Sequence, residues 1–150
     1  EILLNEVFNW AAELGNVPIM VCGDLNTSVQ ASSVLLGALG SQRHWDLAQL
    51  QCVKDGADEP KATCFQKGTS IGTRIDYILV NNVAVTAVST FEQLDDTGIP
   101  THRPLRCEFN LSVCPQEGTV SGYHRSSPSF RGRKTRQQKK RQQQLPWHPS

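Results

Sequence analysis

Four residues of this chain have the chemical types and the settings to orient water and move protons: Asp24, Asn26, Asp76 and His102. Asp24 and Asn26 belong to Gly23-Asp24-Leu25-Asn26, which follows the apolar run Val17-Pro18-Ile19-Met20-Val21-Cys22. A short apolar run bounded by Gly and a polar loop predicts a buried strand. It delivers its polar residues to the mouth of a sheet, where α/β enzymes keep their chemistry. Asp76 lies inside the hydrophobic segment Thr73-Arg74-Ile75-Asp76-Tyr77-Ile78-Leu79-Val80, and His102 lies in Pro100-Thr101-His102-Arg103-Pro104-Leu105. A carboxylate buried in a strand is costly unless paired, so Asp76 needs a partner. His102 is one choice, and Arg74 or another Arg is the other. For Asp24 and Asn26 the competing reading is an Asx-turn that only links strand to helix.

The elements that must position these residues follow from periodicity. Residues 2 to 14 place apolar side chains at 3, 4, 7, 8, 10, 11 and 14, a helical face closed by Gly15. Gly15-Asn16-Val17-Pro18 then turns into the strand ending at Cys22. Helix, strand and a functional loop in succession indicate an α/β architecture. Ala31 to Leu39 reads as a short helix closed by Gly40, and Asp55 to Lys61 as a polar loop. Strands are expected at Ala62 to Phe65, Arg74 to Val80 and Val83 to Phe91. A last, half-buried strand is expected at Pro104 to Val113, where Leu105, Cys107, Phe109 and Leu111 alternate with polar residues. There is no internal repeat.

Taken in order, G-D-x-N, R-I-D-Y and a terminal T-H-x-P resemble the second half of the endonuclease/exonuclease/phosphatase superfamily, whose members end in S-D-H-x-P. Any one of these fragments is common; the signal is the ordered triple, over roughly residues 1 to 112. The resemblance implies a partial four-layer α/β sandwich and metal-dependent phosphodiester hydrolysis with Mg2+ or Mn2+. That chemistry needs an activated water and cationic charge on the phosphoryl oxygens. By resemblance, Asp24 orients or deprotonates the water and holds metal, and Asn26 positions water and phosphate. His102 donates to a non-bridging phosphate oxygen, with Asp76 fixing its tautomer. Arg74 and Thr101 are expected to contact substrate.

The chain departs from that pattern in two ways. Thr101 stands where the family has Asp, and a hydroxyl does not replace its negative charge. The family's early Asn and metal-binding Glu belong to a first half with no counterpart here, since Glu1, Glu6 and Glu13 lie on the helix before the G-D-x-N strand. The chain is therefore expected to be a fragment or truncated copy that hydrolyses phosphodiesters very slowly or not at all by itself. Other chemistries fit less well. Gly68-Thr69-Ser70-Ile71-Gly72-Thr73 lacks the Lys of a P-loop. Ser28 has no G-x-S-x-G setting, and His102, Cys107 and Cys114 lack zinc-like spacing. His44, His124 and His148 are given no role.

Charge divides the 150 residues. Residues 1 to 115 carry 7 Lys+Arg against 13 Asp+Glu, and residues 116 to 150 carry 8 against 1, so the overall +1 hides two regions of opposite sign. Residues 1–114 are expected to form the domain half. Residues 115–150, rich in Ser, Gly, Pro, Gln and basic residues, have too little apolar surface to offset ordering and are expected to be disordered. Between 131 and 144 stand seven basic residues and five Gln. This stretch reads as a phosphate-neutralising segment, as a nuclear address, or as a solvated tail. Five cysteines, none in a C-x-x-C pair, suit a reducing compartment, hence an intracellular one, nucleus or cytoplasm. No apolar stretch reaches the roughly 20 residues of a membrane span. Nucleic acid is the expected partner, with a retroelement-type endonuclease the nearest analogy. A lipid or small-molecule phosphodiesterase and a non-catalytic nucleic-acid-binding remnant are the alternatives. Asp24, Asn26, Asp76 and His102 are expected to converge at one sheet edge, and one sheet face to stay uncovered.

Overall fold

Side-chain caps start three of the four α-helices among the described residues, and the strands fall between them. The computed structural model describes residues 1–95 and 99–114; the expected disordered tail lies outside the described residues. Helix α1 (Ile2–Glu13) runs to Leu14, and Gly15 takes the left-handed conformation (φ 75°) that a residue without Cβ adopts freely. Strand β1 is Met20–Asp24, shifted past the expected end at Cys22 so that Asp24 is its last residue. Ser32 then caps helix α2 (Ser33–Gly40), its hydroxyl accepting the Leu35 N–H at 3.1 Å. Strand β2 (His44–Asp46) leads directly into helix α3 (Leu47–Asp55). Two short strands, β3 (Cys64–Phe65) and β4 (Gly72–Thr73), precede the central strand β5 (Asp76–Asn81). Helix α4 (Asn82–Val85) and the antiparallel pair β6 (Val88–Gln93) and β7 (Leu105–Phe109) complete the described elements.

The sheet that carries the site has the order β1-β5-β2, and both pairings are antiparallel. Alternation along β5 sends its side chains to two different cores. Tyr77 and Leu79 pack with Leu4 and Phe8 of α1 and Leu35 of α2. Ile78 and Val80 pack with Leu47, Ala84 and, from the second sheet, Phe91, Leu105, Cys107 and Phe109. Helices α1 and α2 thus cover one face of the β1-β5-β2 sheet, and α3, α4 and the β6–β7 pair cover the other, giving mixed helices and antiparallel sheets, an α/β fold as expected.

Two sequence expectations are corrected and one helix is added. Val83 to Phe91 is not one strand, because the Asn81 carboxamide oxygen accepts the Ala84 N–H at 2.9 Å and starts α4 in spite of two β-branched valines. The added helix is α3. Asp46 caps it through Ala48 N–H (3.1 Å), and Gly56 closes it at φ 70°. The uncovered face is also not on β5, which is enclosed on both sides; the exposed large apolar side chains nearby are Leu3, Trp10 and Leu14 of α1, Val17, and Met20 of β1.

Candidate active site

The β1–β5 register fixes the centre of the site. Asp24 is paired with Asp76 across the two strands, so both carboxylates emerge on one face at the same end of the sheet. His102 approaches from a different segment. An isolated antiparallel bridge joins it to Cys64, and that bridge is held by Phe65 N–H to Thr101 C=O (2.8 Å) and Arg103 N–H to Thr63 C=O (2.7 Å). The Arg103 guanidinium also stacks over the Phe65 ring at 5.1 Å, fastening the residue after His102 to β3.

In this position the His102 Nδ1 lies 3.0 Å from Asp76 Oδ2 and 3.2 Å from Oδ1. An ionised carboxylate only accepts, so Nδ1 carries the hydrogen and Nε2 faces away from Asp76. The His102 and Asp76 side chains are 32% and 19% exposed, open enough to meet a substrate and enclosed enough to hold one geometry. Asp24 is exposed. One ligand atom from each of Asp24, Asp76 and His102 lies within 4.8 Å of the others, which is the donor cluster of the described residues suited to a cation. With Asp76 engaged by the imidazole, Asp24 is the less committed of the two carboxylates. Two carboxylates with room for water and substrate oxygens match the oxygen-rich surroundings that hard divalent cations take.

The Asx-turn reading of the G-D-x-N loop is observed as well: Asp24 Oδ1 accepts the Asn26 N–H at 2.9 Å. Asn26 is held at φ 51°, a left-handed conformation that Asn tolerates better than most residues. The turn therefore fixes the loop while Asp24 faces the other two site residues. Gly72, on β4 behind the site, cannot carry a side chain. A Cβ there would sit 2.6 Å from the Ala62 Cβ and 2.7 Å from the Phe65 ring.

Arg74 is not brought to this cluster. Its guanidinium is paired with the Asp46 carboxylate and lies over the Tyr77 ring, 4.4 Å from the centroid, with the side chain 14% exposed. Asp46 is buried, caps α3 and needs a cation, so the expected substrate contact is a structural pair instead. Thr101 contributes its backbone carbonyl to the bridge that carries His102. Asp76 is paired with His102, not with Arg74.

Two residues at the site went unnoticed in the sequence. Thr63 is wholly buried, and its hydroxyl accepts both Ile75 N–H (3.1 Å) and Asp76 N–H (3.0 Å). Its own N–H donates to Thr73 C=O at 3.0 Å. One residue thus ties together the start of β5, the end of β4 and the His102 segment. The other is Cys64, whose Sγ lies 3.6 Å from His102 Nε2. A Thr preceding a short apolar pair carries no local sequence signal for such a role, because all its partners are distant in the chain.

The model of the Endonuclease/Exonuclease/phosphatase family matches residues 3–129. Searches of the curated proteins and of the solved structures gave no match. The family match covers the strands bearing Asp24 and Asp76 and the segment bearing His102. The chain belongs to the endonuclease/exonuclease/phosphatase family.

Proposed function

We propose that this chain carries the water-activating and phosphate-orienting side of a divalent-metal-dependent phosphodiesterase that acts on nucleic acid. The family is generally hydrolytic towards phosphodiesters or phosphate esters, and typically depends on a divalent metal. The observation that carries the reading is the meeting of Asp24, Asp76 and His102 from three separate segments. In this reading Asp24 orients and deprotonates an attacking water, and the Asn26 carboxamide holds that water or a phosphate oxygen. Asp76 accepts the Nδ1–H of His102, and in the imidazolium form, which carries a second hydrogen on Nε2, that Nε2–H donates to a non-bridging phosphate oxygen. Mg2+ or Mn2+, held by Asp24 with Asp76 beside it, would supply the cationic charge that stabilises the phosphoryl oxygens. Nucleic acid is favoured as substrate by the seven basic residues between 131 and 144, whose charge suits a polyphosphate backbone.

The test is product release from plasmid, abasic duplex and RNA with magnesium or manganese. With only two carboxylates at the cluster, slow metal-dependent release is expected. Asp24→Asn or His102→Ala should lower it by about 10²- to 10³-fold, the usual loss on removing one preorganised group. Metal-independent release, or release that survives both substitutions, would contradict the proposal. Binding of all three nucleic acids with no release from any would favour the non-catalytic remnant.

A further inference from the structure

We infer that Cys64 and His102 form a binding site for a thiophilic divalent cation such as Zn2+, and that its occupation competes with the phosphate-facing role of His102. The coordination itself does not depend on the hydrolytic reading; its consequence for hydrolysis does.

The backbone puts the two side chains together. Cys64 and His102 are partners in an antiparallel bridge whose flanking hydrogen bonds, Phe65 N–H to Thr101 C=O and Arg103 N–H to Thr63 C=O, make them a non-hydrogen-bonded pair. Side chains of such a pair rise on the same face at the closest spacing a sheet offers. Sγ and Nε2 stand 3.6 Å apart. A tetrahedral zinc ion with Zn–S of about 2.3 Å and Zn–N of about 2.0 Å would separate its two ligand atoms by about 3.5 Å. The pair is therefore already spaced as one edge of a zinc tetrahedron.

The imidazole is also oriented as a metal ligand. Its Nδ1 is held by the Asp76 carboxylate at 3.0 Å, leaving the Nε2 lone pair directed towards the thiol. A carboxylate on the far nitrogen of a ligating His fixes its tautomer and raises its basicity. Neither residue is buried, so an ion and its water have access. On coordination the thiol proton passes to solvent, the thiolate and Nε2 each donate a lone pair, and water fills the remaining positions. Thiolate and imidazole select zinc-like cations, whereas Mg2+ keeps to oxygen donors. One cluster thus presents a hard face at Asp24 and a soft face at Cys64, with His102 shared between them.

Cobalt(II) titration of the full chain tests this without using activity. Wild type is expected to show thiolate-to-cobalt charge-transfer absorption saturating at one ion per chain, displaced by Zn2+ and not by excess Mg2+. Cys64→Ser and His102→Asn should abolish it, and Cys22→Ser, at an exposed cysteine, should leave it intact. Asp76→Asn should weaken cobalt binding by about 10- to 100-fold, as loss of a ligand-orienting carboxylate does. Far-ultraviolet circular dichroism confirms that each variant folds. Absence of the absorption in wild type, its persistence in Cys64→Ser, or equal affinity in Asp76→Asn would overturn the site.

Discussion

At the scale of single residues, Thr63 decides whether the Asp76–His102 pair has a fixed place. Its hydroxyl satisfies two backbone amides, one of them that of Asp76 itself, in a site with no access to water. Thr63→Val keeps the shape and removes that acceptor, orphaning both N–H groups at about 1–3 kcal/mol each. Urea denaturation is expected to show the loss, and Thr63→Ser, which keeps the hydroxyl, to restore most of it. A valine variant as stable as wild type would mean that the two amides find other acceptors. Asp24, Asp76 and His102 were legible in the sequence because rare polar types interrupt apolar runs in a distinctive order. Thr63 and Cys64 were not, since each acts through a neighbour that only tertiary pairing supplies.

Element starts were legible where periodicity set them and misread where a cap did. The strand expected from Val83 was overruled by Asn81, whose carboxamide starts α4, accepts Ile19 N–H (3.0 Å) and donates to Val17 C=O (2.7 Å). The signal for α3 was present as an N-capping Asp46 before Leu47 and a closing Gly56. Packing between elements also sets a pH dependence. His44 on β2 lies edge-on to Phe8 of α1, with ring centroids 4.9 Å apart. Its Nδ1 is buried and finds no hydrogen-bond partner among the described residues. Burial, and secondarily the charge of Arg43, pushes its pKa below the ordinary 6.5. The unfolded chain then takes up this proton more readily than the folded one, so stability from His44 is complete above pH 6.5 and falls as pH drops towards the folded pKa. Urea midpoints measured from about pH 7.5 to about 5.5 should decline less steeply for His44→Leu than for wild type. Equal slopes would remove His44 from the account.

For the whole molecule, the deciding quantity is how much apolar surface the layers leave open. Leu4, Phe8 and Ala11 of α1 face the core, yet Leu3, Trp10 and Leu14 form a second stripe on the same helix, 69%, 57% and 62% exposed. Val17 and Met20 are exposed as well, at and before the start of β1, which pairs only with β5 among the described residues. Exposed apolar side chains and an open strand edge each promote association. Sedimentation is expected to show concentration-dependent association that Leu3→Glu with Trp10→Glu suppresses; a monomer at all concentrations would refute it. The sequence showed this helix to be apolar over a wide arc, but only the packing shows which half is covered.

The antiparallel register of β1 on β5 also governs when the site can come into being. It joins Ile19 to Asn81, 62 positions apart, and the same ladder ends on the pair Asp24 and Asp76. Closing so long a loop must be paid in entropy before any contact repays it, which places folding on the slow, non-local side of the range. The two carboxylates cannot face each other until that ladder closes. In refolding followed by pulsed hydrogen exchange, the amides of Val21 and Leu79, which face each other in the ladder, should gain protection in one phase, and the ability to bind cobalt should return in that phase and no earlier.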